Sequence, residues 1–129
     1  MRYAKKYLGI DYGTKRIGLA IGDSRTKTAV VFGVVNNAQA IKEIIERENI
    51  NVIVVGAPYS VANVNYELPE NWQKFLAELK AALPGVEIIL EDERLSSKYA
   101  DSLAGDKKTK AGRDEIAEVS ILQGYLDKQ

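Results

Sequence analysis

A chain of 129 residues, 46% of them hydrophobic, has enough apolar side chain for one core and is expected to form a single domain over residues 1–129. With no cysteine and no histidine it has no disulfide, thiolate nucleophile or imidazole base, so any metal must sit among oxygens, which select hard cations such as Mg²⁺ or Mn²⁺. Eighteen basic residues balance eighteen acidic ones, which excludes a basic body as the means of holding nucleic acid. Apolar runs such as Val52 to Val55 are far too short for a bilayer, so a soluble, cytoplasmic protein with no membrane partner is expected.

Three strands are expected first, about Tyr7 to Asp11, Ile17 to Gly22 and Thr28 to Val35, joined by short polar turns as an antiparallel meander. Ile41, Ile44 and Ile45 then fall at helical spacing within Ala38 to Glu48, and Asn36 or Asn37 is placed to cap that helix. Ile50 to Gly56 and Val86 to Leu90 read as buried strands on either side of a helix over Pro69 to Leu83, whose Trp72, Phe75, Leu76 and Leu79 share one face. Ser96 or Ser97 is positioned to cap a helix through Leu103, Gly105 to Gly112 reads as a mobile loop, and Arg113 to about Asp127 as the closing helix. The fold class is α/β: a five-stranded mixed sheet, three antiparallel strands followed by parallel crossovers, flanked by helices.

Asp11 ends the first strand and opens the turn Tyr12-Gly13-Thr14-Lys15-Arg16, which puts a carboxylate at a strand end beside phosphate-binding side chains. Glu91-Asp92-Glu93 follows the last strand, and the sequence alone does not decide which of the three points inward. Asp114 lies in the expected first turn of the closing helix, on the stripe of Ala117 and Ile121. The plain alternatives are a turn aspartate at Asp11 and a first-turn partner of the helix dipole at Asp114. Three carboxylates brought together would resist ionisation unless a divalent cation neutralised them. Two basic segments flank these sites, residues 1–16 with Arg2, Lys5, Lys6, Lys15 and Arg16, and residues 105–113 with Lys107, Lys108, Lys110 and Arg113; the plain alternative is a mobile terminus and a solvated loop.

The run Leu8-Gly9-Ile10-Asp11-Tyr12-Gly13-Thr14-Lys15-Arg16-Ile17-Gly18-Leu19-Ala20 resembles the opening motif of the YqgF family of RNase H-like bacterial proteins. Val55-Gly56-Ala57-Pro58, Asp92-Glu93-Arg94-Leu95-Ser96-Ser97, and Asp114 followed by Ala117 and Ile121-Leu122-Gln123-Gly124-Tyr125-Leu126 extend the likeness end to end. The resemblance implies an acidic triad, Asp11, Glu93 and Asp114, acting as metal ligands and catalytic groups. It also implies a nuclease of pre-16S rRNA 5′-end processing, or a Holliday junction resolvase. Two departures stand out: Tyr59 to Asn65 replaces a polar, glycine-containing loop, and Glu118 stands where the family usually has a small residue.

The expected chemistry is hydrolysis of a phosphodiester with one or two Mg²⁺ or Mn²⁺ ions, which needs no histidine base. Thr14, Lys15, Arg16 and Arg94 are candidates for substrate contact, against the plainer reading of local backbone support and solvated charge. Lys107, Lys108, Lys110 and Arg113 would steer backbone phosphates. The expected partner is nucleic acid, pre-rRNA ahead of branched DNA, within a ribosomal precursor particle; monomer and homodimer both remain open. Two further alternatives are a nucleotide site like the phosphate loop of actin-like ATPases and sugar kinases, which need two domains, and a non-catalytic nucleic-acid-binding protein.

Overall fold

Alternation along the first strand sets the architecture. In β1 (Lys6–Tyr12) Leu8 and Ile10 are fully buried on one face with Tyr12 packed beside them, while Tyr7, Gly9 and Asp11 turn to the other. A computed structural model describes residues 5–13, 15–57, 69–92 and 110–129, with the side chains of 92 and 110–117 outside the description.

The sheet runs in the order β3-β2-β1-β4-β5, with β2 at Ile17–Asp23, β3 at Val30–Val35, β4 at Val52–Ala57 and β5 at Glu87–Asp92. β1 pairs antiparallel with β2, where Asp11 faces Gly18, and parallel with β4, where Ile10 is level with Val55. β4 and β5 are parallel and β2 and β3 antiparallel, so the expected meander and crossovers are both present.

Helices α1 (Ala38–Glu48) and α2 (Glu70–Ala82) cover the face carrying Leu8 and Ile10. Asn37, one of the two expected caps, accepts the Ala40 N–H at 2.9 Å. Trp72, Phe75 and Leu79 are buried as the helical spacing requires, and the Trp72 indole donates to the Gly56 carbonyl at 2.9 Å, tying α2 to β4. Helix α3 (Lys110–Leu126) crosses the opposite face, burying Ile121, Leu122 and Leu126 against Tyr7, Ala20, Val52 and Val54.

Among the boundaries that differ from the sequence reading, two have a clear physical cause. β3 starts at Val30 rather than Thr28, because Asp23 folds the preceding segment: its carboxylate accepts the Arg25 and Thr26 N–H groups, and Lys27 closes the turn at φ 53. Gln123 of α3 then clamps that segment, accepting from Ala29 N–H at 2.9 Å and donating to the Lys27 carbonyl at 2.8 Å. α3 begins at Lys110, not Arg113, so Lys110 to Gly112 is helical rather than loop and Asp114 stands in the second turn. One glycine costs a helix about 1 kcal/mol, too little to stop seventeen residues whose far end is packed on the sheet. The expected helix from Ser96 to Leu103 lies outside the described residues. Among the described residues no helix is long and apolar enough to cross a membrane.

Candidate active site

The carboxyl end of β1 is where chemistry-bearing residues converge. Asp11, half-buried, projects toward the α3 face by the alternation that puts Gly9 under Leu122. The approach of α3 is close: a Cβ on Gly9 would stand 2.7 Å from the Leu122 Cβ and 3.3 Å from the Glu118 carbonyl. On Gly18, the cross-strand neighbour of Asp11, a Cβ would overlap the Glu118 carboxylate. Glycines at these two positions therefore let the helix lie on the backbone and leave a slot that the Glu118 side chain fills, at 4% exposure. Asp114 stands one helical turn before Glu118. β1 and α3 thus bring Asp11 and Glu118 to one end of the sheet.

The acidic triplet does not follow the last strand as expected: β5 runs on through Glu91 and Asp92, which pair with Gly56 and Ala57 of β4. Glu91 takes the α3 face, is 4% exposed and forms an ion pair with Lys128 at 2.5 Å. It is committed to holding the end of α3, and Glu93 lies outside the described residues. Lys15 and Arg16 are exposed in the β1–β2 turn, which Gly13 closes by donating to the Arg16 carbonyl at 3.1 Å. Thr14, Arg94, Lys107 and Lys108 lie outside the description, as do the side chains of Lys110, Arg113 and Asp114, whose backbone is that of α3. Among the described residues no three potential metal ligands cluster.

Sequence reading passed over two residues. Tyr12 turns away from Asp11 and stacks on Phe75, ring centroids 4.4 Å apart and planes at 24°. Its signal was available in the strand alternation that places it behind Ile10. Gln123 carries no sequence signal for its loop contacts because both loop groups, the Ala29 N–H and the Lys27 carbonyl, are backbone.

A family model described as "RuvX: Holliday junction resolvase" matches residues 5–128. The chain belongs to the RuvX family. A "Putative pre-16S rRNA nuclease" of Staphylococcus saprophyticus is 37% identical to this RuvX chain over 135 residues, covering 95% of each. One of the same name from Chlamydia pneumoniae is 36% identical over 136 residues, covering 95% of this chain and 90% of its own. Among solved structures, Thermus thermophilus RuvC in complex with a Holliday junction substrate superposes with a TM-score of 0.63 at 15% identity, covering 96% of the RuvX chain and 94% of RuvC. The large terminase nuclease of phage G20c gives 0.57 at 13% identity, covering 94% and 82%. At such identities the likeness is one of fold, and the RuvX chain has the RNase H-like fold that its motifs imply.

Proposed function

We propose that this RuvX-family nuclease, acting as a single domain, hydrolyses phosphodiester bonds at the carboxyl end of β1, with Asp11, Glu93 and Asp114 holding Mg²⁺ or Mn²⁺. The observation that carries the reading is the convergence of β1 and α3, which puts Asp11 opposite Gly18 and under the turn of α3 that bears Glu118. The donor chemistry fits a hard cation: with no histidine or cysteine in the chain, the acidic groups available there offer oxygen alone. When bound, such an ion lowers the pKa of a water and stabilises charge on the leaving oxygen.

The chain's own residues supply the rest. Lys15 and Arg16, exposed on the turn that follows Asp11, hold the phosphates on either side of the bond to be cut. Thr14, next to them in the sequence, and Arg94, next to Glu93, contact the same nucleic-acid backbone, and Lys107, Lys108, Lys110 and Arg113 draw it toward α3, so that affinity falls as salt rises. The substrate we favour is the 5′ extension of pre-16S rRNA, in the cytoplasm, presented by a ribosomal precursor particle. Support comes from relatives bearing that name at up to 37% identity over nearly the whole chain. A second reading, a four-way DNA junction, has the family description in its favour; cutting two symmetric strands would require a homodimer.

The test is cleavage of an RNA carrying that 5′ extension, beside a four-way DNA junction, with Mg²⁺, Mn²⁺ or EDTA. Wild type should cut the RNA only with metal, and Asp11→Asn should cut at least about 100-fold more slowly. Equal cleavage by wild type and variant would remove Asp11 from the reaction; preference for the junction would select the second reading.

A further inference from the structure

The face of β1 turned away from Asp11 holds a second feature that the nuclease reading leaves unused. A cleft of about 240 Å³ opens there between the start of α1 and the first turns of α2. Its inner wall is the half-buried ring of Tyr12, backed by the buried Phe75 on which it stacks, and its rim carries the amides of Asn36, Asn37 and Asn71. Asn37 spends its Oδ1 on the cap of α1 and keeps its NH₂ for other use. Lys74 and Glu78, one turn apart on α2, also line the cleft with opposite formal charges, and the Lys74 ammonium pairs with Glu70 at 3.7 Å.

We infer that this cleft is a base-binding subsite, which takes one nucleobase of a single-stranded segment whose backbone passes Asp11. The inference rests on the reading of Asp11 as the cleavage site. Three observations support it. The cavity falls below the roughly 300–1,000 Å³ of sites for drug-sized ligands, which suits one ring system rather than a whole nucleotide. The wall and rim match what a base presents: an aromatic surface for its π-face, and amides that both donate and accept for its edge. The absence of net charge among the lining side chains gives a phosphate no reason to prefer it, whereas a neutral base loses nothing. Position supplies the connection, since Asp11 and Tyr12 are consecutive on one strand and address opposite faces about 3.8 Å apart along the backbone. A strand lying across the end of β1 can therefore offer a phosphate to one side and the adjoining base to the other. Stacking of this kind is tolerant of sequence, while the amide rim gives a modest preference among bases.

The test uses the full chain in EDTA, where no turnover occurs, and an eight-nucleotide single-stranded RNA with 2-aminopurine at one position. A matched oligomer is abasic at that position. Wild type should quench the 2-aminopurine as it stacks and should bind the abasic oligomer about 10-fold more weakly. In the double variant Asn36→Ala/Asn71→Ala, which alters two exposed side chains and leaves Tyr12 in place, the difference between the two oligomers should shrink to about 3-fold. Equal binding of both oligomers by wild type, no binding of either, or an undiminished difference in the double variant would overturn the subsite. Loss of the nuclease reading shows instead as metal-dependent cleavage indifferent to Asp11→Asn, a result independent of base preference measured without metal.

Discussion

Where α1 and α2 meet the sheet the contact residues are large and branched, Leu8, Ile10, Ile17, Leu19 and Ile53; where α3 meets it, Gly9, Gly18 and Gly22 lie beneath the helix. The first face is held by side-chain volume. The second adds close backbone approach to a smaller apolar cluster, and it tolerates what the first does not: a buried carboxylate at Glu118, the Glu91–Lys128 ion pair, and a Ser120 hydroxyl with no hydrogen-bond partner among the described residues. Polar groups withdrawn from water cost stability unless partnered, so the α3 face carries its chemistry against the packing of the other. The division runs through β1 itself, whose Ile10 and Tyr12 serve one side while Asp11 between them serves the other.

If this contrast is right, deletion should hurt on one face and addition on the other. Leu79→Ala removes a fully buried side chain from the α1/α2 side and should lower stability in urea by about 2–5 kcal/mol. Gly9→Ala adds one methyl under α3 and should cost about 1–3 kcal/mol, because the atom it meets is the Leu122 Cβ, fixed to the helix and unable to swing aside. An alanine tolerated at Gly9 would mean that α3 does not rest on the backbone of β1.

Gly18 sharpens the same point, because its neighbour is the end of a flexible side chain. Gly18→Ala should cost less than Gly9→Ala, about 1 kcal/mol in the native background, where the buried carboxylate must swing aside, and close to nothing in Glu118→Ala, a coupling of about 1 kcal/mol in a double-mutant cycle. The same cost in both backgrounds would show that Glu118 is not what occupies the space over Gly18.

How far these features were legible in the sequence follows the same division. The α1/α2 face announces itself, since Ile41, Ile44, Ile45, Trp72, Phe75 and Leu79 repeat at helical spacing and all are buried. The meander and the parallel crossovers followed from strand composition and short turns. On the α3 face periodicity identified the stripe of Ile121, yet not the start of the helix, because Gly112 and the surrounding lysines look like loop and only packing further along decides otherwise. Asp11 was legible because an aspartate ends an apolar run. The inward member of Glu91-Asp92-Glu93 was not, since a triplet of acids has no contrast to read; register with Gly56 and the ion pair with Lys128 assign Glu91 to structure. Tyr12 was overlooked for a related reason, its neighbour being the more conspicuous residue.

The smallest expected effect concerns the segment that joins β2 and β3 under α3. Asp23 accepts three hydrogen bonds there, from Thr26 N–H at 2.7 Å, Arg25 N–H at 2.9 Å and the Thr26 hydroxyl at 3.1 Å. These, the Thr26 N–H foremost, hold its carboxyl below the ordinary value of 3.8. A carboxyl whose folded value is depressed contributes stability that is fully present above the unfolded value and is lost as pH falls through the folded one. Asp23 is half-exposed, so solvent screens the charge and the contribution is at most about 1 kcal/mol. Urea titrations should therefore find Asp23→Ala less stable than wild type by up to about 1 kcal/mol at pH 7, the gap beginning to close as the pH drops below the ordinary carboxylate range. A gap that does not change with pH would assign the hold on this segment to neutral bonds alone, the Lys27 N–H to the Asp23 carbonyl at 3.0 Å and the Gln123 clamp. The α3 face would then owe its registry with β2 and β3 to the helix rather than to the turn.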